Sequence, residues 1–172
     1  MGVSDLRDIA VLEPQPLSAY SGQTVAIDAY QYLYCYSTVI VRYREEEVYT
    51  ADTGENLSNI LSLAKGIPML LQEDIDPIFV FDGSADSLKQ ETIEARETKR
   101  KDAEAEMQRA ADRGDVDAMR KYKARTQRIT PTVIETSKRL LDLLGIPHVD
   151  APKAGEAYAA ALVEHGYADA VM

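Results

Sequence analysis

Two short runs of apolar, β-favouring residues each stop at an aspartate. Val25-Ala26-Ile27 follows Thr24 and ends at Asp28; Ile78-Phe79-Val80-Phe81 follows Pro77 and ends at Asp82. Neither run alternates apolar with polar residues, so both faces of each strand call for cover. That is the pattern of a parallel sheet with helices on its two sides. The segment between them supplies one such helix, because Leu57, Ile60, Leu61, Leu63 and Ala64 recur at helical spacing within Leu57–Leu71. Gly66 and Pro68 are expected to interrupt or kink it.

The rest of the chain repeats the alternation. Residues 11–22, with Pro14, Pro16 and Gly22, read as a loop approach, and 29–41 as a Tyr-rich helix. Residues 42–54 are polar and read as a hairpin or an insertion. Residues 86–123 favour helix and are charged on nearly every face, with a break at Arg113-Gly114-Asp115. Thr130-Pro131 opens another helix, since proline is favoured at the first helical position. Val133, Ile134, Leu140, Leu141 and Leu144 form its apolar stripe, and Gly145-Ile146-Pro147 ends it. A third strand is expected over 146–149, a helix over 155–165, and the approach to a fourth strand over 166–172. Strands alternating with helices give an α/β fold with a mostly parallel sheet. The apolar run at Val171-Met172 leads to the expectation of a fragment, truncated before the end of the core.

Charge narrows the function classes. The 172 residues carry a formal net charge of −10, against a body coated for nucleic acid. Yet residues 86–128 hold 12 of the 19 Lys+Arg beside 10 acids, a local balance of +2. Such a ridge either grips phosphates or is a solvated helix surface with i,i+4 charge pairs. The overall acidity also suits a high-salt cytoplasm. Cys35 is alone, which excludes a disulfide framework and a thiolate metal cluster. Neither a secretory signal nor an apolar run of membrane-spanning length is present, so a cytoplasmic, membrane-free protein is expected.

The chemistry is read from the strand ends. Carboxyl ends of parallel strands form the ligand crevice of open α/β sheets. Asp28 and Asp82 would share that crevice, and Glu156, opening a later helix, would add a third carboxylate, with Asp150 nearby. Like charges this close repel unless a cation or a proton is shared. Oxygen-only donors suit Mg²⁺, with Mn²⁺ as an alternative. Taken singly, each acid reads as a helix N-cap or a first-turn acid facing the dipole. His148 and His165 read as surface or structural residues.

Several motifs, in order, carry a family resemblance: Met1-Gly2-Val3, Val25-Ala26-Ile27-Asp28-Ala29, Pro77-Ile78-Phe79-Val80-Phe81-Asp82-Gly83, Leu144-Gly145-Ile146-Pro147, Ala151-Pro152 and Gly155-Glu156-Ala157. The sequence resembles the flap structure-specific endonucleases of the XPG-type 5′-nuclease superfamily, in their archaeal form. The resemblance implies a PIN-like α/β core with a charged helical arch. It implies a nuclease region over 1–98, an arch or connecting segment over 99–115, and the start of the internal region over 116–172. It further implies 5′-flap cleavage and 5′-exonuclease activity in DNA replication and repair, with two Mg²⁺ ions per complete site and branched DNA as partner. By resemblance Asp28, Asp82 and Glu156 are metal ligands, Lys89 and Arg96 meet the scissile phosphate, and Tyr34 and Gly2 contact the substrate. The pattern departs at Ala154, where the family has a glutamate ligand. Two further aspartates and a sliding-clamp peptide would lie past Met172. A non-catalytic flap-binding module and half of a split nuclease are the alternatives that this departure raises.

Overall fold

The computed structural model describes residues 13–35, 57–83, 90–126 and 129–172. A 3₁₀ turn, Leu17–Tyr20, leads into β1, Thr24–Asp28. Helix α1 follows directly, with residues 29–35 described. Then come α2 (Ser58–Gln72), β2 (Asp76–Phe81), α3 (Gln90–Asp112), α4 (Val116–Thr126), α5 (Pro131–Leu144), β3 (His148–Asp150), α6 (Gly155–Glu164) and β4 (Ala170–Val171). The four strands form one parallel sheet in the order β3-β2-β1-β4.

Side chains alternate across each strand, and here the two faces differ in bulk. Val25 and Ile27 of β1 and Phe79 and Phe81 of β2 point into a large core with Leu33, Leu63, Ile67, Leu70 and Leu141 from α1, α2 and α5. Burying one such side chain contributes about 1.5–3 kcal/mol. Ala26 and Val80 face the other way, onto Ala151, Ala159 and Ala168. Small residues on both partners let α6 lie close against the sheet.

Local signals set the helix ends. Thr130 Oγ1 accepts the Val133 N–H at 3.2 Å, and Pro131 fills the first position of α5. The buried Asn59 amide of α2 reaches Ser137 Oγ and Thr136 Oγ1, each at 2.9 Å, and ties α2 to α5. Helices α3 and α4 pack on each other as a hairpin, with Ala103 and Ala110 buried. Asp115 caps α4 by accepting the Ala118 N–H at 3.0 Å.

Two sequence expectations need correction. Gly66 and Pro68 do not break the second helix; α2 runs through both. Pro68 and Ala64 are both exposed, so the carbonyl that loses its i+4 donor faces water. Gly66 is there for packing: a Cβ would stand 1.6 Å from Tyr32 Oη and 2.9 Å from Tyr32 Cζ. The third strand is His148–Asp150 instead of 146–149. Its position follows the register with β2, in which Phe79 pairs with His148 and Phe81 with Asp150.

The Gly66 contact generates a stability prediction. Gly66→Ala lowers stability by about 1–3 kcal/mol, the usual cost of overpacking, although alanine favours helix. Pairing it with Tyr32→Phe, which removes the nearest oxygen, recovers part of the loss. Thermal denaturation of the two variants checks both statements; an unchanged melting temperature for Gly66→Ala would contradict the packing argument.

Candidate functional site

Parallel pairing sets Asp28 opposite Val80, so Asp82 lies two residues beyond Asp28's partner on the adjacent strand. By the two-residue period, Asp28 follows Ala26 and Asp82 follows Val80 onto the α6 face. The Asp28 N–H is held by Met172 O at 3.0 Å, and the Met172 N–H by Ala26 O at 2.8 Å, so β4 fixes the end of β1.

Both carboxylates are tied to helix N-termini. Asp28 Oδ1 accepts the Gln31 N–H at 3.0 Å, an N-cap bond to α1. Asp82 Oδ1 accepts the Gly155 N–H at 2.5 Å, across the sheet end. That bond caps α6, whose own N-cap residue, Ala154, makes no side-chain cap bond. Only glycine fits at 155 without a shift, because a Cβ would stand 2.9 Å from Asp82 Oδ1. Glu156 follows in the first turn of α6. The capping and ligand readings of these acids are therefore compatible. A bond through one oxygen orients the carboxylate, and Oδ2 of Asp82 takes no part in it.

The electrostatics point the same way. Burial pushes the Asp28 carboxyl above its ordinary value, and the charges of Asp82 and Glu156 push further; the Gln31 and Tyr30 N–H groups act against them. Burial likewise raises the Tyr30 phenol, helped by the charges of Asp82, Asp150 and Asp28. Negative charge is thus concentrated at this edge, and a cation there would relieve it. Among the described residues, no three His, Cys, Asp or Glu side chains close into a shell around an ion. The donor set fits an ion that keeps water and takes one or two carboxylates plus substrate phosphate, which is how Mg²⁺ binds.

Of the residues singled out by sequence, Asp28, Asp82 and Glu156 come to one edge of the sheet. Tyr34 is on α1, 44% exposed, and belongs to the surface instead of the core. Arg96 falls within α3; Lys89 and Gly2 lie outside the described residues. Sequence reading missed Tyr30 and Lys138. Tyr30 sits edge-on to Phe81, with centroids 6.4 Å apart and planes at 73°. Lys138 bonds Asp150, and its Nζ lies 4.9 Å from the Phe81 centroid. Its signal was a lysine placed between Ile134 and Leu141 on the apolar stripe of α5.

Comparison with known proteins places the chain in a family and a fold. The family described as the XPG N-terminal domain matches residues 1–103. A protein of Haloarcula marismortui called flap endonuclease 1 is 38% identical over 171 residues, covering 99% of this chain and 52% of the relative. The protein of that name from Methanothermobacter thermautotrophicus is 39% identical, with the same coverage of 99% and 52%. Among solved structures, flap endonuclease-1 from Methanococcus jannaschii aligns with a TM-score of 0.68 at 34% identity, over 99% of this chain and 53% of that one. The catalytic core of Rad2 in complex with DNA substrate aligns with a TM-score of 0.65 at 27% identity, over 99% and 45%. The chain spans about half the length of the curated relatives it matches.

The raised Asp28 carboxyl generates a pH prediction. A folded value above the unfolded one means that the native state binds this proton more tightly. The group's contribution to stability then falls as pH rises from the ordinary carboxylate range through the raised value. Asp28→Asn keeps a capping side chain and removes the charge. In chelator, its melting temperature exceeds that of the wild type by a margin that widens from acid to neutral pH. A margin that is constant or narrows with pH would contradict the repulsion described here.

Proposed function

The chain belongs to the XPG N-terminal domain family, and from that premise we propose that it carries the first carboxylates of a structure-specific DNA nuclease. The reaction is hydrolysis of a phosphodiester at the base of a 5′ flap, with 5′-exonuclease activity, in DNA replication and repair. The observation that carries this reading is the pair Asp28 and Asp82 at the ends of adjacent parallel strands, with Glu156 adding its charge to theirs. The relatives' names and the DNA bound to the Rad2 core support the choice of substrate.

Asp28, Asp82 and Glu156 would hold Mg²⁺, or Mn²⁺ in its place. A divalent cation bound there supplies Lewis acidity and lowers the pKa of a water molecule. The chain's own groups do the rest. The Gly155 and Gln31 amides keep Asp82 and Asp28 oriented. Lys89 and Arg96, near and within the charged α3 segment, offset negative charge on the phosphate. Tyr34, exposed on α1, offers a ring face for stacking on a base, and Gly2 completes the substrate contacts. Residues 99–115, the later part of α3 and the turn after it, serve as the arch or connecting segment, within a division into 1–98, 99–115 and 116–172. The protein acts in the cytoplasm, away from membranes; among the described residues no helix is long and apolar enough to cross one.

The test is cleavage of an end-labelled 5′-flap DNA by the full chain with Mg²⁺. Losing a partner that merely supports a metal ligand costs about 10–100-fold, so Asp82→Ala, which removes the ligand itself, is expected to reduce cleavage by more than about 100-fold. Salt-sensitive flap binding without cleavage, from a folded wild type, would replace this reading with a non-catalytic flap-binding module. Ala154, whose side chain brings no oxygen to the N-terminus of α6, is the residue that favours that alternative.

A further inference from the structure

Lys138 occupies a position that the pattern of α5 assigns to the core. It lies between Ile134 and Leu141, both of which pack on the main cluster. Its stem is accordingly drawn inward, and its Nζ stands 4.9 Å from the centroid of Phe81, a ring that is 1% exposed. The ammonium bonds Asp150 Oδ1. Phe81 immediately precedes Asp82, so this cation stands at the same strand ends as the carboxylates. It does so on the α5 side, whereas Asp82 faces α6.

The two members of the pair are held differently. The Lys138 side chain is 26% exposed and packed on an aromatic ring; that of Asp150 is 63% exposed. An ion pair open to water on one side is weakly held, so Asp150 is an exchangeable partner for a cation whose position is set by packing. A cation over a ring gains from the ring's quadrupole and needs no carboxylate to stay in place. The neighbouring groups are Tyr30, which is neutral at neutral pH and edge-on to Phe81, and His148, whose ring is also edge-on to Phe81 with centroids 5.9 Å apart and which is bonded to Asp142. A phosphodiester chain brought to Asp28 and Asp82 therefore meets a fixed positive charge on the far side of the same edge.

We propose that Lys138 is a phosphate contact for the nucleic-acid strand bound at this edge, with Asp150 as the partner it exchanges for that phosphate. The proposal rests on the nucleic-acid reading above and adds a residue to it. It gives the two members of one ion pair opposite effects on binding. Removing the cation weakens binding, and removing the anion strengthens it.

The experiment is equilibrium binding of the full chain to fluorescently labelled 5′-flap DNA over a series of KCl concentrations, with Ca²⁺ in place of Mg²⁺ so that the DNA stays intact. Lys138→Gln is expected to flatten the plot of log affinity against log salt by about 0.7–0.9, the value of one phosphate contact. Lys138→Arg keeps the slope. Asp150→Asn tightens binding, and most of that gain disappears in the Lys138→Gln background, as coupling between the two residues requires. An unchanged slope in Lys138→Gln, or an equal gain from Asp150→Asn in both backgrounds, overturns the proposal and leaves a structural ion pair. Should Lys138→Gln fail to fold by circular dichroism, Asp150→Asn against wild type decides, with weaker or unchanged binding overturning the proposal. A folded wild type with no salt-dependent binding overturns the nucleic-acid reading together with this one; normal wild-type binding with an unchanged variant slope overturns this one alone.

Discussion

Parallel pairing of β1 with β2, with Asp28 opposite Val80, is the constraint from which the acidic edge follows. A slip of one residue would turn every side chain of a strand to the opposite face. Val25 and Ile27 would then meet the small-residue face that now holds Ala26, and Asp28 would turn into the main core. The bulk difference between the two faces resists that slip. Large residues fill one side, while alanines and Val80 line the other. Packing far from the acids thus decides which way the acids point. β4 adds to this, since Met172 and Asp28 share a ladder bond at the end of β1.

The repulsion gathered at that edge is held by helix N-termini. The amides that open α1 and α6 bond Asp28 and Asp82, and the partial positive charge of a helix start favours both anions. Ala154 and Gly155 work together in this. Ala154 supplies no cap to α6, Asp82 supplies it from β2, and the absence of a side chain at 155 lets Asp82 approach. The cap stabilises the helix and orients the carboxylate at once. It does not neutralise it, and Asp28 still feels Asp82 and Glu156. A cation placed there would relieve that residual charge.

Much of this was legible in the residues. Apolar runs stopping at Asp28 and Asp82 gave the strands, because buried parallel strands tolerate no polar alternation. Thr130-Pro131 gave the start of α5 through cap chemistry. What could not be read depended on contacts between distant segments. Pro68 looked like a break until its lost hydrogen bond proved to face solvent. Gly66 looked like a kink until Tyr32 filled its place. The third strand moved to His148–Asp150 because its partner β2, and not its own residues, sets its register. Tyr34 and Tyr32, two residues apart, went to surface and core by helical geometry that a Tyr-rich run does not reveal. Lys138 went unread within the apolar stripe of α5, because its role depends on Phe81 and Asp150, which only the fold brings to it.

The central claim is that Asp28 and Asp82 make one cation site at the strand ends. Its most direct test is titration of the full chain with Mn²⁺, followed by electron paramagnetic resonance, at neutral pH and without DNA. The account predicts saturable Mn²⁺ binding that Mg²⁺ displaces and that is lost when Asp28 and Asp82 are both changed to Asn in a folded protein. Equal Mn²⁺ binding by wild type and the double variant would contradict it.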